Sequence, residues 1–229
     1  MRRLIVTLDG PAGSGKSTAA WLLAERLGLE MLDTGAMYRG LTAKALDRGI
    51  DIESEGHAVV ELARSMKIRF DWESRPPRLW IGDRDLTDRL RDTDVTQWVS
   101  DVSSMPPVRL VMVEAQQRIA TEHPRLVTEG RDQGSVVFPD ADAKFYLDAS
   151  PVVRSKRRAD QLRAAGKPVD LDQIREAIIL RDRKDASRSD GPLICPEDAE
   201  RIDTSGMSLE DVVELLAGRV RAMVGVEVG

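Results

Sequence analysis

Eight consecutive residues, Gly10-Pro11-Ala12-Gly13-Ser14-Gly15-Lys16-Ser17, set the tightest limit on what this chain can be. They follow the pattern glycine, four residues, then glycine, lysine and serine or threonine. They stand between an apolar run, Leu4 to Leu8, and a segment of good helix formers, Lys16 to Leu27, that stops at Gly28. Glycines let backbone N–H groups curl around a polyphosphate, and the start of a helix adds a favourable dipole. Lys16 is suited to neutralise β- and γ-phosphate charge, and the Ser17 hydroxyl to ligate Mg2+. A glycine-rich turn that binds nothing is the bland alternative, and the strand-before, helix-after context speaks against it. The motif predicts a bound nucleoside triphosphate without choosing among kinase, motor and switch.

Strand, glycine-rich turn and helix together open an α/β unit with a parallel sheet. Further core strands are predicted at Leu126 to Thr128, Lys144 to Leu147 and Arg201 to Asp203. Helices fit residues 36–48, 53–65, 107–122, 151–165 and 171–183. A last helix starts at Ser208, with Asp211 as its capping-box partner, and runs to about Val224. One stretch breaks the pattern. Ile68, Phe70 and Trp72 alternate with polar residues, Arg75-Pro76-Pro77 turns the chain, and Leu79-Trp80-Ile81 precedes a second turn at Gly82-Asp83. That reads as a small antiparallel meander over residues 66–92.

With 229 residues, 41% hydrophobic and 32% charged, the chain is long enough for one substantial core and belongs to the globular class. A formal net charge of −5 argues against charge-driven binding to nucleic acid or anionic membranes. Cys195 is the only cysteine, which excludes an intramolecular disulfide and fits a reducing compartment. The apolar run after Arg2 and Arg3 is too short for a leader or a bilayer span. A cytoplasmic protein is expected.

Three later clusters bear on the class of reaction. Leu32-Asp33-Thr34-Gly35-Ala36-Met37-Tyr38-Arg39 puts a hydroxyl and a guanidinium near a helix start, where a second phosphate fits; a capped surface helix is the alternative. Glu129-Gly130-Arg131-Asp132-Gln133-Gly134 follows a strand directly, and ligands of open α/β sheets lie beyond such strand ends. A salt-bridged turn is the alternative there. Arg154, Arg157 and Arg158 are spaced to share one helix face, and Arg181, Asp185 and Arg188 to line one side. Solvated basic faces are common. Beside a phosphate loop, however, transfer between two polyanions needs cations to cover the developing charge. His57 and His123 sit in polar surroundings with no metal-binding grouping, and surface roles are expected for both. A phosphate acceptor already carries an anionic oxygen, so no catalytic base is required.

These residues together resemble bacterial cytidylate kinases, of the nucleoside monophosphate kinase family, over nearly the whole chain. The resemblance is carried by Gly10 to Thr18, Leu32 to Arg39, Gly130-Arg131-Asp132 with Gly134-Ser135-Val136-Val137-Phe138-Pro139-Asp140, and Arg181 to Leu193. The meander resembles the inserted segment of the family's long form. The resemblance implies a P-loop kinase fold with a five-stranded parallel sheet, made of residues 1–35, 104–150 and 185–229. It also implies a monophosphate-binding region over 36–103 and a mobile helical lid over 151–184. ATP with Mg2+ would seat on Gly10, Pro11, Ala12, Gly13, Ser14, Gly15, Lys16, Ser17 and Thr18, with Arg157 on the donor side. CMP or dCMP would be held by Thr34, Tyr38, Arg39, Ser100, Arg109, Gly130, Arg131 and Asp132, with Asp185 and Arg188 at the pentose. Asp132, Ser100 and Arg109 look like the cytosine readers. Lys16, Arg131, Arg154, Arg158 and Arg181 would stabilise the transfer. Partners are thus small molecules, with neither nucleic acid nor membrane, and a monomer is expected. The rivals are another small-molecule P-loop kinase, acting on UMP, AMP or shikimate, and a nucleotide-operated switch or motor with Asp148 positioning water.

Overall fold

The computed structural model describes residues 2–164 and 166–225; Ala165, the expected end of one helix, and the extreme termini lie outside the described residues. Two compact units emerge, one from Met1–Leu29 with Arg125–Gly229 and the other from Glu30–Pro124. A five-stranded sheet of order β2-β6-β1-β7-β8 is formed by β1 (Leu4–Asp9), β2 (Glu30–Asp33), β6 (Arg125–Glu129), β7 (Ala143–Asp148) and β8 (Glu200–Asp203). Strand β1 runs parallel to β6, with Val6 opposite Val127, and to β7, with Leu8 opposite Phe145. Strand β7 runs parallel to β8. Every residue of β1 is buried, which is why its sequence is a continuous apolar run rather than an alternating one.

In the first unit, α1 (Lys16–Leu27) presents Ala19, Ala20, Leu23 and Leu27 to the core and ends at Gly28, whose φ of +61° makes a left-handed cap. Helices α6 (Pro151–Ala164) and α7 (Leu171–Ala186) pack on each other. Helix α8 (Leu209–Val224) opens with the predicted Ser208–Asp211 capping box.

The second unit holds α2 (Thr34–Asp47), α3 (Gly56–Ser65), α4 (Thr93–Ser104) and α5 (Pro106–Glu122). It also holds the expected meander, a sheet of β3 (Ile68–Asp71), β4 (Arg78–Ile81) and β5 (Arg84–Asp85). Phe70, Leu79 and Ile81 form its buried face, and Arg69 lies over the Trp80 ring on the other. Trp72 departs from the simple alternation. Its indole N–H donates to the Met31 carbonyl at 2.6 Å, and its ring packs on His123, whose Nδ1 lies 2.8 Å from Glu30 Oε2. His123 is therefore a half-buried buttress of this unit rather than the surface residue expected, whereas His57 is exposed.

Helix α4 has no counterpart in the sequence reading. Its Thr, Ser, Asp and Val residues are poor helix formers, yet Val95, Val99 and Val102 recur at helical spacing and are buried. Tertiary burial overrides propensity there. Among the described residues no helix is long and apolar enough to cross a membrane.

Arg89, in a 3-10 turn at Thr87–Arg91, ties three acidic residues together: Asp47 at 3.3 Å, Asp92 at 2.9 Å and Asp94 at 2.6 Å. Its hydrogen bonds, with its charge, push the Asp94 carboxyl down to about 2. A carboxyl depressed on folding stabilises above its ordinary value near 3.8 and loses that contribution as pH falls toward 2. Arg89→Ala is expected to cost about 1 kcal/mol at neutral pH, since the network is partly exposed. The gap from wild type should close on acidification below pH 4, as read by urea unfolding at several pH values.

Candidate active site

Asp9 ends β1, and the chain turns at once through the glycine-rich loop. Gly10 has a φ of +141°, and a Cβ there would lie 2.1 Å from the Leu147 carbonyl oxygen, so no other residue fits without moving the neighbouring strand. Gly13 and Gly15 also have positive φ, at +79° and +93°. Lys16 is only 4% exposed, and its ammonium donates to the Pro11 carbonyl at 2.8 Å and lies 3.5 Å from Ser14 Oγ. Burial pushes its pKa down to about 7, helped by the positive charges of Arg131 and Arg181 and opposed by Glu129 and Asp9. Those couplings place Lys16, Arg131 and Arg181 in one electrostatic neighbourhood. Ser17 and Thr18 are exposed at the first turn of α1.

The Ser17 hydroxyl donates to Glu129 Oε1 at 2.8 Å. Glu129, buried at the end of β6, was not among the expected site residues. Its signal was available, because a residue ending the strand beside the loop-bearing strand faces the side of an open α/β sheet where ligands lie. Gly130, Arg131 and Asp132 follow it. Next comes a turn of π-helix at Gln133–Val137, in which Phe138 N–H reaches back to the Gln133 carbonyl at 2.7 Å.

Three arginines gather on one carboxylate. Asp185 is 1% exposed and lies 3.0 Å from Arg131 Nε, 2.6 Å from Arg188 Nη2 and 4.0 Å from Arg181 Nε. Helix α7 ends at Ala186, so Arg188 approaches from beyond the helix rather than along the face that the spacing suggested. Burial alone raises the Asp185 pKa, but the three guanidiniums overcome it and hold the carboxyl below its usual range.

The face predicted for α6 is split. Arg154, 3% exposed, donates to the Ala149 carbonyl at 2.8 Å, to the Ala12 carbonyl at 3.0 Å and to Asp182 at 2.6 Å. Arg157 reaches the Ser14 carbonyl at 3.3 Å and the Thr204 carbonyl at 2.7 Å. Both brace the backbone of the phosphate loop. Arg158 is exposed and bonded to Gln161, because four residues of helix turn it about 40° past Arg154, onto the solvent side. Thr204, fully buried just after β8, was also missed; its hydroxyl lies 3.3 Å from the Ser14 carbonyl and 3.0 Å from that of Asp148. Asp148, the residue named for a water-positioning role, is engaged by the Arg201 guanidinium and the Ala149 N–H.

In the second unit, Asp33 caps α2 by accepting from Ala36 N–H at 2.8 Å, which fixes the start of the helix carrying Thr34, Tyr38 and Arg39. Thr34 and Tyr38 are buried. Ser100 lies on α4, and Arg109, 2% exposed, on the first turn of α5.

A family model described as cytidylate kinase matches residues 6–222. A protein named cytidylate kinase from Pelotomaculum thermopropionicum is 42% identical over 218 residues, 95% of this chain and 96% of its own. One of the same name from Clostridioides difficile is 39% identical over 96% of this chain and 99% of its own. Among solved structures, a shikimate kinase from Bacteroides thetaiotaomicron aligns with a TM-score of 0.50 at 14% identity, covering 98% of this chain and all of its own, a likeness of fold alone.

Proposed function

The chain belongs to the cytidylate kinase family, and from that membership and its site we infer that it transfers the γ-phosphoryl group of ATP to CMP or dCMP. The observation that carries the reading is the gathering of cations: Lys16 of the phosphate loop within electrostatic reach of Arg131 and Arg181, with Arg188 sharing their counter-ion Asp185. Such a cluster suits two polyanions that would otherwise repel each other.

In the proposed reaction an oxygen of the acceptor phosphate bonds to the γ-phosphorus while the bond from that phosphorus to the β-bridging oxygen breaks, leaving ADP and CDP or dCDP. The attacking oxygen is already anionic, so the work of the chain is to orient and to neutralise. Lys16 and Arg131 offer N–H donors to the charge on the transferring group. The Asp132 carboxylate is proposed to accept from the exocyclic amino group of cytosine, the difference between cytosine and uracil at that position. In the second unit Thr34, Tyr38 and Arg39, from the family's Leu32 to Arg39 motif, and Ser100 and Arg109, by position on α4 and α5, are proposed to take part in holding the acceptor.

The residues present fit Mg2+. Ser17 gives its proton to Glu129, so its oxygen lone pairs remain for a hard cation, with a carboxylate behind them. When bound, the ion supplies positive charge to the β- and γ-phosphate oxygens. Helices α6 and α7 are proposed as the lid that excludes water during transfer, and the protein as a monomer of the cytoplasm.

A panel of nucleoside monophosphates with ATP and Mg2+, read by coupled ADP release, tests the assignment. CMP and dCMP are expected to exceed UMP and AMP by about a hundredfold or more in kcat/KM, since a site built for an amino donor strongly rejects UMP, which lacks it, and a pyrimidine-sized site rejects the larger purine of AMP. A preference for UMP or AMP overturns the acceptor, and brisk ATP hydrolysis with no acceptor requirement overturns the transferase.

A further inference from the structure

Asp9, the last residue of β1 and the immediate neighbour of Gly10, has no part in the reaction as described so far. Its carboxylate is 2% exposed. One oxygen accepts from Gln133 N–H at 2.8 Å and the other from Gly134 N–H at 2.7 Å. Both donors open the π-helical turn that directly follows Arg131 and Asp132. The approach is close, because a Cβ on Gly134 would lie 2.9 Å from Thr7 Oγ1 and 3.4 Å from Asp9 Oδ2.

The other side of the turn is fixed as well. Thr128 Oγ1 donates to Gln133 Oε1 at 2.7 Å, which orients the Gln133 amide so that its N–H2 faces Asp132 Oδ1 at 3.4 Å. Burial works against a charged Asp9 and pushes its pKa up to about 7, although the two backbone N–H groups oppose that shift. A hydrophobic residue here would avoid the desolvation cost, but it would leave two buried backbone donors without acceptors. The carboxylate is the short side chain able to hold two adjacent N–H groups from the end of a neighbouring strand.

We propose that Asp9 is a positioning residue for acceptor recognition, fixing Arg131 and Asp132 through the backbone of Gln133 and Gly134 and tying that loop to the base of the donor loop. The inference rests on the reading that Arg131 and Asp132 hold the monophosphate. Asp9 itself touches neither nucleotide. The donor loop, braced separately by Arg154 and Arg157, keeps its shape when the acceptor loop shifts.

Asp9→Asn tests this on the full chain with ATP, Mg2+ and CMP. The amide keeps the size of the side chain but turns an N–H2 toward a backbone N–H, so the turn must move. KM for CMP is expected to rise about tenfold or more, because misplacing a binding group by an ångström is costly, and KM for ATP by no more than a few-fold, through the charge that Asp9 lends to Lys16. The thermal shift induced by CMP should shrink while that induced by a non-hydrolysable ATP analogue persists. Equal changes in both KM values, a lowered melting temperature with CMP binding intact, or no change at all overturn the proposal. Gly134→Ala displaces the same turn from the loop side, by crowding Thr7 Oγ1 at 2.9 Å and the Lys144 side chain at 3.3 Å, and carries the same expectations and refutations should Asp9→Asn not fold. Asp132→Ala is measured alongside. If it leaves KM for CMP unchanged, the acceptor reading fails and this inference with it; if it raises that KM and Asp9→Asn does not, only the positioning role fails.

Discussion

Lys16→Ala is expected to lose about two orders of magnitude or more in turnover while melting at or above the temperature of the parent protein. The activity loss follows from removing one preorganised cation from the transferring phosphoryl group, an interaction worth ~3 kcal/mol in a water-excluded site. The stability half follows from the same geometry. Lys16 is a nearly buried ammonium whose pKa is driven down to about 7 by desolvation and by Arg131 and Arg181. Deleting it relieves that repulsion and gives up two contacts within the loop, to Pro11 and Ser14. Like charges crowded in this way are characteristic of sites arranged to bind an anion. Steady-state turnover and differential scanning calorimetry, run on the same preparation, check both halves. Near-normal turnover would remove the lysine from the mechanism. A steep drop in melting temperature would show that the ammonium serves the fold instead.

The phosphate loop and its strand and helix were legible because each carries local information: a continuous apolar run for a buried central strand, glycines where φ is positive, and a periodic apolar face ended by Gly28. The inserted meander was legible for the same reason, through the alternation of Ile68 and Phe70 and the turn residues after them. What escaped was set by contacts distant in sequence. Helix α4 lacks helix formers and exists through burial of its valines. Thr204 acquires its role from a partner 190 residues away. Spacing along α6 suggested that Arg154, Arg157 and Arg158 act alike, yet Arg154 and Arg157 turn inward to the loop carbonyls and Arg158 faces solvent. Periodicity locates a face, and only packing decides what that face meets.

Asp185→Asn is expected to destabilise the fold of the first unit by several kcal/mol, and a bound anion to repair it in part. Asp185 is the shared counter-ion of Arg131, Arg188 and Arg181. Neutralising it removes, at an almost fully buried position, the negative charge that the three guanidiniums share. Removing one partner of a buried ion pair costs about 3–5 kcal/mol, mostly through the charge left behind. The pH dependence has a definite sign. The Asp185 pKa is depressed on folding, so its contribution is present above the ordinary carboxylate value and is lost only as pH falls through the lower folded value. Wild type and Asp185→Asn should therefore differ most near neutrality and converge in strong acid. On the proposed reading, CMP or inorganic phosphate supplies an anion to the same guanidiniums, and each should raise the melting temperature of Asp185→Asn by more than it raises that of wild type. A mutant that melts with the parent at neutral pH, or one to which anions add nothing extra, would mean that the arginines are balanced from elsewhere and that Asp185 is not their counter-ion.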